Sequence, residues 1–174
     1  PFDLFRLNTK DSKITYVDRL EYSGWSERAF PIQYQGRNLI LSLGYIIKAN
    51  DPRGNRYPQA LLLEVLGKGK KTRLEKIEQI SIKNKNLWAD LQGEDKEITL
   101  SLDPSTGKGA ILFPVAGYSA KQGSFSGGKV IGIDLANIES DDSVFKDSAL
   151  LLGDAGWMKR VFEDSRSRVL RVVT

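Results

Sequence analysis

Seven consecutive residues, Gly67-Lys68-Gly69-Lys70-Lys71-Thr72-Arg73, form the most concentrated group of positive charge in the chain. If this stretch is a loop, its four cations can converge on one anion, and its two glycines let the backbone come close. Groups of this kind bind the phosphate backbone of nucleic acids, because lysine and arginine supply much of that affinity. The glycine spacing of a nucleotide-binding phosphate loop is absent. The alternative is a hairpin tip whose charges are only solvated.

Positive charge continues on both sides of this group. The whole chain carries a net charge of +4, and between residues 53 and 85 nine basic residues stand against three glutamates. Aromatic side chains next to such a region can stack on bases. Trp88 follows the region, and Trp25 lies in a polar stretch earlier in the chain. The residues that we expect to contact nucleic acid are Arg53, Arg56, Lys68, Lys70, Lys71, Arg73, Lys83, Lys85 and Trp88.

Two carboxylates follow apolar, strand-like stretches: Glu64 after three leucines and Asp134 after Ile131-Gly132-Ile133. An acid in this place with a lysine nearby is similar to the metal-dependent nucleases of the restriction-enzyme type. Those enzymes carry an acid, one spacer and a lysine, together with an earlier aspartate. Leu66 stands at the lysine position here, so Lys68 would have to replace it and Asp51 would supply the earlier acid.

The catalytic candidates under this nuclease alternative are therefore Glu64, Asp51 and Lys68, with Mg²⁺ as the only cofactor implied. Otherwise we expect no metal and no cofactor. The competing interpretation is that both strand acids lie at strand ends or on a solvent face.

The chain contains no cysteine and no histidine. Disulfides, thiol nucleophiles, serine-histidine catalysis and imidazole-bound metals are therefore excluded. An enzyme would have to use carboxylate, lysine, tyrosine or terminal-amine chemistry, and the amine of Pro1 could act as in small tautomerases, which the chain resembles in no other residue. A processed initiator methionine also explains Pro1.

From these residues we expect a non-catalytic protein that binds a polyanion. The other alternative is a structural or assembly subunit, whose partner is another protein or a second copy of the chain.

Length and hydropathy predict one domain over residues 1–174. No apolar run approaches the ~20 residues of a membrane helix, and the first residues lack the basic stretch and long apolar core of a secretory signal. We therefore expect a cytoplasmic protein without a membrane partner.

Alternation of apolar and polar residues recurs along the chain and predicts β-strands. The predicted fold class is mainly β, at the margin α+β: an antiparallel barrel or sandwich of about seven to nine strands with one short helix near the C-terminus. The predicted strands are Phe2–Leu7, Ile14–Arg19, Asn38–Lys48, Gln59–Leu66, Glu97–Leu102, Ala110–Val115, Lys129–Ala136 and Arg168–Val173. The stretches around residues 74–82 and 143–152 fit either a helix or a strand.

Four local features refine this prediction. Gly44, in the middle of a strand, predicts a bulge or a bend. Pro114 predicts that its strand is at an edge or ends there. The stretch Gly117–Gly128 is rich in glycine and serine and predicts a loop. A stripe of Trp157, Met158, Val161 and Phe162 after Asp154 predicts the helix, over residues 154–164.

Overall fold

A computed structural model describes residues 1–47, 54, 56–82, 87–88, 98–119, 123–152, 160–164 and 169–173. Within these residues, thirteen strands pair in antiparallel fashion. The strands are β1 Phe2–Asn8, β2 Lys13–Leu20, β3 Trp25–Tyr34, β4 Arg37–Ile47, β5 Arg56–Leu66, β6 Arg73–Ser81, β7 Leu87–Trp88, β8 Thr99–Asp103, β9 Lys108–Ser119, β10 Gly123–Asp134, β11 Phe145–Leu152, β12 Arg160–Asp164 and β13 Val169–Val173. Two short 3-10 turns lie at Gly69–Lys71 and Leu135–Glu139.

Two open sheets pack face to face and form a sandwich. One sheet has the order β3-β4-β5-β6, and the other has the order β11-β10-β9-β7 with β8 also paired to β9. Alternate residues of both sheets meet in one core, which includes Leu41, Tyr45 and Leu62 of the first sheet and Phe113 and Ile131 of the second. The predicted mainly β, antiparallel class is confirmed, and the barrel alternative is wrong because the two sheets do not close on each other.

The β1–β2 hairpin adds a third layer on the outer face of the first sheet. Phe2, Leu4 and Leu20 pack there against Leu61 and Leu63 of β5. Strand β5 is therefore buried on both faces, which explains why its leucines run consecutively and do not alternate with polar residues. The carboxylate of Asp18 also accepts a hydrogen bond of 2.7 Å from the backbone N–H of Leu74, at the edge of β6 that faces away from β5.

The C-terminal prediction is wrong over its second half. Residues 160–164 form strand β12, which pairs with β13 from Arg160 opposite Val173 to Asp164 opposite Val169. Residues 154–159 lie outside the described residues. Val161 and Phe162 fit a helical stripe in the sequence. The valine-rich strand β13 pairs with these residues, however, and such pairing overrides local helix propensity.

Pro114 does not mark the end of a strand, since β9 continues to Ser119. On the side away from β10, β8 pairs with β9 up to Leu112 and β7 pairs with it from Ala116. Pro114 lies between these two ladders, where a missing N–H is tolerated. The predicted loop at 117–128 is also wrong for the described part, because 117–119 belong to β9 and 123–128 to β10.

Strand β3 was missing from the sequence prediction, and its proline and charged residues explain why. In the described sheet β3 pairs only with β4, and Pro31 lies opposite Ile40 on this edge strand, where proline is acceptable. Gln35 and Gly36 both have positive φ and form the two-residue turn into β4. The predicted irregularity at Gly44 is confirmed, and the extra residue lies in β3, since the register shifts between Ser26 and Arg28.

Candidate functional site

The basic stretch at residues 67–73 forms the turn between β5 and β6, here named the basic turn. Gly67 and Gly69 have φ of +76° and +60°, values that glycine adopts without strain. Lys71 donates its backbone N–H to the carbonyl oxygen of Lys68 at 3.2 Å, and Thr72 donates to that of Gly69. The two glycines therefore let the chain reverse tightly, as a hairpin tip requires.

All four cations of the basic turn are exposed to solvent: Lys68, Lys70, Lys71 and Arg73. Arg73 lies 3.3 Å from a carboxylate oxygen of Glu75, and both side chains of this pair are more than half exposed. Among the described residues, the three lysines form no ion pair within 4.0 Å. Their charge is therefore not neutralised within the described part of the chain.

Arg6 of the β1–β2 hairpin adds a fifth cation to this site. Its guanidinium donates hydrogen bonds of 2.6 Å to the carbonyl oxygen of Gly69 and 2.9 Å to the hydroxyl oxygen of Thr72. Thr72 in turn donates its hydroxyl to the same carbonyl at 2.9 Å. These bonds hold the basic turn against the β1–β2 hairpin, so its cations lie on a loop whose backbone is fixed.

Sequence reasoning did not identify Arg6, because more than sixty residues separate it from the turn. An arginine between Phe5 and Leu7 was the only signal in the sequence, and that signal does not name a partner.

Arg56 lies at the opposite end of β5 from the basic turn. Arg56 and Leu66 are the first and last residues of this strand, a span of about 33 Å at the usual rise of a strand. The Arg56 guanidinium lies 5.6 Å from the ring centre of Trp25, a cation–π contact, and the Trp25 ring also packs on Tyr45. The structure therefore does not bring Arg56 and Trp25 together with the basic turn.

Asp51, Arg53, Lys83 and Lys85 lie outside the described residues. Trp88 belongs to β7 and pairs with Ala116 of the second sheet through its backbone.

Glu64 is held in an ion pair. Arg37 donates to its two carboxylate oxygens at 3.1 and 2.7 Å and donates a third bond of 2.7 Å to Glu139. The Glu64 side chain is 11% exposed and that of Glu139 is 84% exposed. The bonds to Glu64 raise the pKa of the Arg37 guanidinium above its ordinary value. Glu64 thus joins β5 to β4, and the same arginine reaches the second 3-10 turn, which lies between β10 and β11 of the second sheet.

Lys68 and the second strand acid, Asp134, have other surroundings. Lys68 is exposed in the basic turn. Asp134 accepts from the backbone N–H of Ala136 at 3.2 Å, capping the second 3-10 turn, and lies 3.7 Å from Lys108. Within the described ranges, no group of three or more acidic side chains is arranged to hold a metal ion.

Comparison of the chain with protein-family models, curated proteins and solved structures finds no match. In the part of the chain that the structure describes, no helix has the length and apolar character to cross a membrane.

Proposed function

We propose that the protein binds nucleic acid through the basic turn, without catalysing a reaction on it. One observation carries this proposal. Four exposed cations lie within six residues of a turn that Arg6 holds in place by hydrogen bonds. The three lysines among them have no ion-pair partner in the described structure. A phosphate backbone supplies repeated anions at a spacing that such a group can neutralise. The braced backbone limits the entropy lost on binding.

The test measures the binding of labelled single- and double-stranded DNA and RNA at several salt concentrations. The variant replaces Lys68, Lys70, Lys71 and Arg73 by alanine. We expect it to fold normally, because exposed charges contribute under about 1 kcal/mol per pair. Its affinity should fall, and the slope of log affinity against log salt should flatten by about one unit for each phosphate group that the variant no longer binds.

Arg56→Ala is the matched control, because this exposed arginine lies at the far end of the same strand. It should leave affinity and salt slope close to those of the unchanged protein. Equal affinity of the quadruple variant and the unchanged protein would contradict the proposal. Cleavage of the labelled strands that depends on added Mg²⁺ would favour the nuclease alternative instead.

A further inference from the structure

The outer half of the β1–β2 hairpin presents an apolar face to solvent. Phe5, Leu7, Ile14 and Tyr16 are 56%, 60%, 68% and 54% exposed. Phe5 lies opposite Tyr16 and Leu7 opposite Ile14, so the four side chains form two cross-strand pairs on one face. The rings of Phe5 and Tyr16 meet edge to face with centres 5.9 Å apart. Contiguous exposed faces of this kind mark interaction sites.

A β-bulge creates this face. Leu4 pairs with Asp18 and Phe5 with Tyr16, which leaves Val17 without a partner. Side chains alternate along a strand, so a regular β2 would place Tyr16 and Ile14 on the side of Leu20, which packs on the first sheet. The bulge turns both side chains outward, to the side of Phe5 and Leu7. Bulges commonly re-aim side chains in this way.

Arg6 and Lys13 lie on the opposite face of the hairpin, whereas Asp3 and Arg19 lie beside the apolar side chains and pair with each other at 2.7 Å. Arg6 alternates with Phe5 and Leu7 and bonds to the basic turn, and Lys13, paired with Asn8, alternates with Ile14. The four exposed side chains are themselves uncharged. Covering them therefore buries no unpaired charge, a step that would otherwise be costly.

We propose that this apolar face joins two copies of the chain, packed face to face with their hairpin tips pointing in opposite directions. In this arrangement Phe5 faces Leu7 of the second copy and Ile14 faces its Tyr16, and the two-fold axis repeats each contact. Large side chains then lie on smaller ones, so that the two layers interdigitate. Tips pointing the same way would instead place the aromatic pairs on each other and the aliphatic pairs on each other.

Area and charge both favour a second copy as the occupant. Side chains of this size expose roughly 450 Å² in total at these fractions. Together with the residues at their edges, two such faces bury about 1,000 Å², the lower limit of a specific interface. A nucleic acid fits this face less well, because two of its four side chains are aliphatic and the adjacent Arg19 is already paired with Asp3.

The first test measures the mass of the protein in solution as a function of concentration by analytical ultracentrifugation. The unchanged chain should form a dimer, and Ile14→Lys should raise the dimer Kd at least about 100-fold, because it buries a charge in an apolar contact. The matched control is Ile47→Lys, since Ile47 is a similarly exposed strand residue, 47% exposed, outside this face. The control should dimerise as the unchanged chain does, and thermal melts should show that both variants fold.

The second test uses the absence of cysteine from the chain to determine the orientation. An equal mixture of Ile14→Cys and Tyr16→Cys proteins should oxidise mainly to the mixed disulfide. Disulfides only between identical positions would overturn the proposed orientation. A chain that stays monomeric at all concentrations, or a dimer that Ile14→Lys leaves intact, would overturn the proposal. Binding of oligonucleotides or anionic vesicles by a monomer through these side chains would also overturn it.

Discussion

At the scale of single residues, Arg37 binds two carboxylates of very different exposure, and this difference gives a prediction. Glu64→Gln should lower the free energy of unfolding by about 1.5–3 kcal/mol, because it removes charge-assisted hydrogen bonds from a nearly buried site. Glu139→Gln is the control and should cost under about 1 kcal/mol, because solvent screens the exposed carboxylate. Denaturant melts measure both values. Equal losses of unfolding free energy in the two variants would show that burial of the carboxylate does not set the strength of its bonds to Arg37.

At the scale of elements, the pairing of β3 with β4 depends on Gly44. A Cβ at this position would collide with the carbonyl oxygen of Trp25, where the extra residue of β3 brings the two backbones together. We predict that Gly44→Ala lowers the free energy of unfolding by about 1–3 kcal/mol, the usual cost of overpacking. The loss is measured by following denaturation of both proteins with circular dichroism.

Gly36→Asn is the control for this prediction. Gly36 has φ +79° with open space around it, and asparagine tolerates positive φ better than most residues, so its cost should be small. A Gly44→Ala protein as stable as this control would mean that β3 can shift away from β4 without loss.

At the scale of the whole molecule, the sandwich depends on side chains that both large sheets share. Phe113 is fully buried between them and meets Tyr45 edge to face, with ring centres 6.3 Å apart. We predict that Phe113→Ala lowers the free energy of unfolding by about 3–5 kcal/mol, as large core truncations do. Ile47→Ala, at an exposed position, should cost under about 0.5 kcal/mol. Urea melts compare the two, and a small loss at Phe113 would contradict a shared core.

Much of the strand content could be predicted from the sequence, because alternation is a local property of a half-buried strand. It placed β1, β2, β4 and β5 close to their observed bounds. The same local information failed for Arg160–Asp164, where the strand partner decides between helix and strand. It also failed for β3, whose Pro31 is acceptable only because β3 lies at an edge of the described sheet.

For the candidate site, the sequence alone determined which cations stand together in the chain and that their glycines favour a tight turn. The tertiary structure decided that Arg56 lies at the far end of β5, that Arg6 braces the basic turn and that Glu64 is paired with Arg37. It also decided the bulge at Val17, which turns Ile14 and Tyr16 outward. The physical reason is the same each time. Composition and alternation act within a few residues, whereas register, layering and ion pairing depend on residues that only folding brings together.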